Sequence, residues 1–389
     1  MSTSSDVLII GAGIVGSSAA YFLARSGLST TLVDRVHPAG GPTGKSSALL
    51  HAFYLMPELS RLALRGREIL VGLPEIANGN SFVTQVGMMW VCGEDSSAAW
   101  TGAAERIRGQ GGQIETLSPQ EFTSAVPAFS DDRVALALWE PEFGYADAFG
   151  ATNALANGAR NEGATLLQNT SVKSLAVRNG KVTGVVLEDG TTLNAGNIIM
   201  AAGPWTRALL ATAGLQLPLH VERHPMAVLD AGGKARSIMP FAWCDDINCN
   251  YARPDNDGVI LAGSWAGGGT GLRHETAERP RSVTDPDHYM EGVEEAESVE
   301  ILKTFTTRVP AMLDLGIRPG YAGLYDMSPD DLPIIGKMPG IEGLYISAGS
   351  SGHGFKTGPA VGEALAELLI RADESLLKPF SPERFGGAA

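Results

Sequence analysis

The chain has 389 residues, 44% of them hydrophobic, a formal charge of −14 and three cysteines. That length calls for two domains or one elaborated fold, and the acidic balance argues against a nucleic-acid partner, which needs a basic face. Three cysteines (Cys92, Cys244, Cys249) without CxxC spacing argue against a disulfide framework and a zinc site, and fit a reducing compartment.

No run of 18 apolar residues occurs, so no transmembrane helix is expected. The N-terminus lacks a basic n-region and runs into a glycine-rich turn, so it reads as a strand and not as a signal peptide. A soluble cytoplasmic protein is the expectation.

The chain opens with "DVLII" (Asp6 to Ile10), a short β-branched run that reads as a buried parallel strand. "GAGIVG" follows, with Gly11, Gly13 and Gly16 in GxGxxG spacing and Ile14 and Val15 between them. The run "SSAAYFLARSG" has helical periodicity and stops at Gly27. "STTLVD" is a second strand, ending at Asp34 and followed by Arg35. Strand, glycine turn, helix, strand and terminal acid form the context that makes this motif a dinucleotide site. Its glycines let backbone N–H groups approach a pyrophosphate, the helix N-terminus favours negative charge, and Asp34 can accept from ribose hydroxyls.

The motif alone does not separate NAD from FAD. The long stretch from His37 to Tyr54 points to FAD, because an extended flavin dinucleotide needs a covering loop, and long loops in compact domains are usually functional. Lys45, Ser46 and Ser47 in that loop are the expected cofactor contacts.

From Phe82 to Glu142 the pattern is strand-like ("FVTQVGMMWVCG") and then helical ("AAWTGAAERIRGQGG"). Asp147 to Ala164 reads as an amphipathic helix leading into a meander with turns at Asn179-Gly180 and Asp189-Gly190. The meander ends in the buried strand "NIIMAAG", which should bring Ala202 and Gly203 beside the dinucleotide, with Trp205 just beyond. Val172 lies where a strand edge can meet adenine. Residues 205 to 319 read as α+β and include a hairpin with its turn at Asp257-Gly258. The chain then returns to strand, glycine turn and helix in "GLYISAGSSGHGFKTGPAVGEALAELLI". A nucleotide domain from 1–80, 145–205 and 320–389 and a substrate domain from 81–144 and 206–319 follow from this pattern.

Three stretches together carry a resemblance: "DVLIIGAGIVGSSAAYFLARSGLSTTLVDR", "NIIMAAGPWT" and "GLYDMSPDDLPIIGKMPGIEGLYISAGSSGHGFKTGPAVGEALAELL". They resemble the FAD-dependent D-amino-acid oxidase superfamily, and more closely its sarcosine oxidase and dimethylglycine dehydrogenase branch. The likeness runs to "PFSPERF" near the C-terminus. It implies an α/β fold: a Rossmann-like, glutathione-reductase-like FAD domain, plus an α+β substrate domain whose antiparallel sheet roofs the flavin. It implies oxidation of a C–N bond by hydride transfer to flavin N5, with hydrolysis of the imine and reoxidation by O₂ or another acceptor.

Carried over residue by residue, the resemblance pairs Lys356 with a substrate carboxylate and places Tyr325 and Tyr251 at substrate-facing tyrosines. Ser351, Gly352, His353, Gly354 and Lys356 then lie along the flavin. Relatives that link their flavin to a cysteine have it where Gly323 stands here, so a non-covalent FAD is expected at that point. Leu50 replaces an arginine before the "HAF" segment, a lysine that promotes reaction with O₂ is missing near Leu261 and Ala262, and a histidine is missing near Trp265. The loss of the lysine favours a dehydrogenase over an oxidase.

Each candidate has a plain structural reading beside the functional one. Lysine is mostly a surface residue, but at a helix start it opposes the macrodipole unless an anion offsets it. His51 reads equally as a buried histidine or a substrate contact. Tyr251 and Tyr325 could be core aromatics, Met88, Met89 and Trp90 read as strand core, and Arg253 as structural. No strong general base is evident, so the enzyme is expected to select the neutral amine. The alternatives are a D-amino-acid or glycine oxidase, a hydroxy-acid dehydrogenase, or the flavin subunit of a hetero-oligomer.

Overall fold

The computed structural model describes residues 4–265 and 282–386. The expected strand-turn-helix-strand start is strand Ser4–Ile10, helix Ile14–Arg25 and strand Thr30–Val33. The helix is capped by Ser26, and Gly27 follows with φ +89°. The two strands pair in parallel, Val7 opposite Thr30 and Ile10 opposite Val33. On its other side Ser4–Ile10 pairs in parallel with Thr192–Met200, which in turn pairs with Leu344–Ala348. Segments far apart in sequence thus meet in one eight-stranded sheet. The meander Val172–Arg178, Lys181–Leu187, Thr192–Met200 closes one end, with Asn179 and Gly180 both at positive φ in the first turn, as a two-residue hairpin of the primed type requires.

Helices Ile14–Arg25, Ala148–Asn161 and Gly354–Arg371 pack on one another against this sheet, and helix Pro57–Gly72 packs on the last of them. The last helix contains Pro359, whose carbonyl accepts from Ser18 Oγ at 2.8 Å. No helix among the described residues is long and apolar enough to cross a membrane.

A second, ten-stranded sheet is mostly antiparallel. Its two long strands, His220–Asp230 and Gly316–Met327, run side by side with Tyr325 opposite Glu222. Strands Val259–Ser264, Asn250–Asp255, Ala242–Asp245, Met88–Cys92 and Leu136–Glu140 continue it in that order. Two expectations shift. The return to the first sheet falls after Met327 and not at 320, because Gly316–Met327 is wholly a strand of the second sheet. The hairpin loop holds three residues, since Asp255 pairs with Val259, and its left-handed residue is Asn256 (φ +53°) and not Gly258. Asparagine tolerates that region through its short polar side chain. One buried apolar cluster runs from Ile9 and Leu23 through Phe53 and Trp100 to Trp90 and Tyr251, so the two sheets share a core.

Candidate active site

The carboxyl ends of the parallel strands open into a groove of about 810 Å³, the place where such sheets bind ligands. At its floor Gly11 has φ +100°, and a Cβ there would lie 2.4 Å from the Ala201 carbonyl oxygen. Only glycine lets the turn pass that close to the neighbouring strand end. Asp34 closes one end of the groove. Its Oδ2 accepts from the Ala12 N–H at 2.7 Å and its Oδ1 from the Val36 N–H at 2.8 Å. Thr43, which sequence reasoning passed over, accepts the Ile14 N–H at 3.3 Å through its hydroxyl.

Of the expected cofactor residues, Gly11, Gly13, Ile14, Val15, Asp34, Arg35, Lys45, Ser46, Val172, Ala202, Gly203, Trp205, Gly352 and Gly354 line the groove, and Ser350 joins them. Gly16, Ser47, Ser351, His353 and Lys356 are not among its lining residues. The Ser47 carbonyl is taken by Arg253 Nε at 2.6 Å. Ser351 Oγ accepts the Ser328 N–H at 3.2 Å and donates to the Gly349 carbonyl at 3.0 Å. The His353 ring donates from Nε2 to the Asp331 carbonyl and accepts at Nδ1 from the Tyr54 hydroxyl, each at 3.2 Å. Burial pushes this imidazole down to about 3, so it stays neutral.

A segment of the substrate-side fold crosses the groove. Asp287 pairs with Arg35 at 2.5 Å and accepts from Trp205 Nε1 at 2.9 Å. Lys45 Nζ reaches the Tyr289 hydroxyl at 2.6 Å and Glu291 at 3.2 Å. Arg35 and Lys45 thus have carboxylate partners before any phosphate arrives.

At the far end Tyr325 faces the groove from the roof sheet. Its ring is closely packed. His224 stacks on one side with centroids 3.8 Å apart and planes 14° apart. Gly352 (φ +83°) also abuts the ring, where an added Cβ would be 2.8 Å from Tyr325 Cε2. Tyr251 is hydrogen-bonded to Tyr325 and stacks at 6.0 Å on Trp265. Burial pushes both phenols up, so neither serves as a phenolate base.

Lys356 sits in the first turn of the last helix and is 8% exposed. Its Nζ lies 5.8 Å from the Tyr54 ring centroid. Among the described residues no hydrogen bond or ion pair holds it. Burial pushes its ammonium down to about 8. The His51 ring lies 4.9 Å from Tyr54 and 4.8 Å from Trp90, and its Nδ1 donates to the Phe53 carbonyl at 3.2 Å. Burial and the Lys356 charge drive it well below its ordinary value. Glu140, also passed over in the sequence, is fully buried beside this cluster. It accepts from the Ala52 N–H at 2.7 Å and from Trp90 Nε1 at 3.0 Å, and burial pushes it up to about 8. A lone charge at the end of the apolar strand "LALWE" was the available signal.

The residues present fit a flavin dinucleotide. The Gly11 cradle and the first helix suit a pyrophosphate, Asp34 suits a ribose, and the buried Asp326 Oδ2 in the groove has no partner. Comparison with known proteins agrees. The family described as FAD dependent oxidoreductase matches residues 6–368. Monomeric sarcosine oxidase from Bacillus sp. (strain NS-129) is 26% identical over 95% of this chain and 93% of its own. N-methyl-L-tryptophan oxidase from Yersinia pestis (strain Pestoides F) is 28% identical over 93% and 94%. Among solved structures, L-proline dehydrogenase from P. horikoshii superposes with a TM-score of 0.86 at 26% identity, covering 99% of this chain and 98% of its own. The chain belongs to the FAD-dependent oxidoreductase family and is an enzyme that uses FAD.

Proposed function

We propose that this enzyme oxidises the C–N bond of an amino acid, with N-alkyl or cyclic secondary amino acids as the preferred class. The observation that carries the reading is Lys356, a buried ammonium without a partner among the described residues, close to the cluster of Tyr54, His51 and Glu140. A buried charge is costly unless paired, and a substrate carboxylate supplies the pair. The similar proteins support the amine class. Sarcosine, N-methyltryptophan and proline, in whose names they agree, are all secondary amines bearing a carboxylate.

Bound FAD supplies the redox chemistry by accepting the hydride. The chain's own residues bind and orient. Lys356 holds the carboxylate, and the Tyr251–Tyr325 hydroxyl pair sets the approach from the roof. With His51 depressed, Glu140 engaged by N–H donors and both tyrosines held as phenols, the substrate enters with its amine already neutral. Positioning can contribute roughly 7–11 kcal/mol in the best intramolecular models.

Anaerobic bleaching of the flavin's visible absorbance by a panel of secondary amino acids, primary amino acids, amines without carboxylate and hydroxy acids tests this. Secondary amino acids should bleach it fastest. Bleaching by hydroxy acids alone would sink the reading. A second reading concerns the electron acceptor. Leu261 and Ala262, near which the family resemblance expects an O₂-promoting lysine, are buried apolar residues of the roof strand Val259–Ser264. This supports an acceptor other than O₂, and fast aerobic turnover by the isolated chain would count against it.

Two further outcomes follow. Carboxylate binding needs the ammonium form of Lys356 and the ionised ligand, so affinity for propionate, read from the flavin spectrum, should be flat between about pH 6 and 7 and weaken as pH rises through about 8. A constant affinity to pH 10 would remove Lys356 from the site. Tyr325→Phe strips the partner from the Tyr251 hydroxyl and should lower kcat/KM roughly three- to tenfold, the worth of one hydrogen bond, with the FAD content unchanged.

A further inference from the structure

Asp326 is the next-to-last residue of the roof strand Gly316–Met327 and is 8% exposed. Its carboxyl faces the N–H groups of Gly349 and Ser350 and the Ser350 hydroxyl, and burial pushes it up to about 6, so it is ionised at neutral pH. Its Oδ2 is buried, has no hydrogen-bond partner, and belongs to the wall of the cofactor groove. A buried acceptor left unmade is destabilising. What is missing from the groove at this point is a hydrogen-bond donor.

The sheet order says which part of the dinucleotide passes here. Across the edge of the sheet the strand ends run Thr30–Val33, Ser4–Ile10, Thr192–Met200, Leu344–Ala348. Asp34 follows the first, the Gly11 turn the second, Ala201 the third, and Ser347 and the Gly349–Ser350 loop that faces Asp326 lie at the fourth. Strands lie about 4.8 Å apart. The pyrophosphate belongs over the Gly11 turn and the first helix N-terminus. Asp326 is therefore about two strand spacings, roughly 10 Å, further on, away from the adenosine end marked by Asp34. Phosphate oxygens offer no hydrogen to a carboxylate, and on the flavin side of the pyrophosphate the first donors FAD presents are the hydroxyls of the ribityl chain.

We infer that Asp326 Oδ2 accepts a hydrogen bond from a ribityl hydroxyl of FAD and is a principal polar anchor for the flavin half of the cofactor. Asp34 and Asp326 then hold the two sugar-like segments from opposite ends of the groove, each through a carboxylate whose remaining contacts include backbone N–H groups.

The test is reconstitution of the apoprotein, followed by flavin fluorescence quenching, with FAD and with its 2′-, 3′- and 4′-deoxyribityl analogues. Asp326→Ala should weaken FAD roughly tenfold to a hundredfold, the range for a hydrogen bond to a charged group. For one analogue the wild type should lose the same factor, and Asp326→Ala should then add almost nothing. Wild-type affinity for FAD in Asp326→Ala, or an equal effect of the substitution on FAD and all three analogues, would overturn the inference. Should Asp326→Ala fail to fold, the wild type alone decides, because equal affinity for FAD and every analogue refutes the contact. Substrate turnover plays no part in this readout, so the outcome is independent of which amine the enzyme oxidises.

Discussion

Lys356→Met should lower kcat/KM for an amino-acid substrate on the order of a hundred- to a thousandfold, while the purified protein keeps its FAD. Truncating one partner of a buried, hydrogen-bonded charge pair costs about 2–5 kcal/mol. Methionine keeps the length of the stem and its packing on Tyr54, so charge is the main change. The same substitution should stabilise the substrate-free enzyme. The ammonium pKa falls from 10.5 in the unfolded chain to about 8 in the fold. The unfolded state therefore binds more protons between those values, and wild-type stability rises with pH across that window. Below pH 8 the fold carries the full cost of the buried charge, up to about 3 kcal/mol at 1.36 kcal/mol per unit. Lys356→Met should thus be more stable than wild type at pH 7, with the gap closing by pH 10.5. A variant that loses activity and stability together at pH 7 would make Lys356 a structural residue.

That stability sacrificed to hold a free cation is the expected mark of a binding site, and it bears on what a sequence can disclose. The glycine turn at 11–16, the loop at 350–356 and the acid at 34 were legible because each answers to a local rule: a positive φ, a close backbone approach, a strand followed by a helix. The fold class and the cofactor followed from those rules, and the resemblance narrowed the chemistry. The roof was far less legible. Glu140 meets Ala52 across 88 positions, and His224 meets Tyr325 only because strands His220–Asp230 and Gly316–Met327 are in register. Ser351 and His353 show a further limit of local rules. Polar residues in a glycine-rich loop look like ligand contacts, yet a loop that presents its backbone to a ligand must tie its side chains elsewhere. His353 does so by bridging Tyr54 and Asp331.

A buried ion pair of the roof carries the largest expected effect on stability. Arg308 and Asp245 form an ion pair at 2.9 Å with neither side chain exposed. Arg308 Nη1 also donates to the Ser130 carbonyl. Asp245 receives the N–H groups of Ile247 and Asn248, both at 3.0 Å, and the Asn248 side-chain amide at 2.7 Å. These bonds shape the turn between strands Ala242–Asp245 and Asn250–Asp255, whose second strand carries Tyr251. Arg308→Met should therefore cost about 3–5 kcal/mol, the penalty for leaving a buried charge without its partner, read as a lower denaturation midpoint in urea. It should also lower kcat/KM by shifting Tyr251, although Arg308 touches no reacting group. Asp245→Asn in the Arg308→Met background removes the stranded charge and should restore at least about 1 kcal/mol, a coupling typical of contacting residues. Simple additivity of the two substitutions would show that the pair does not act as a unit, and that the turn holding Tyr251 is set by the backbone bonds alone.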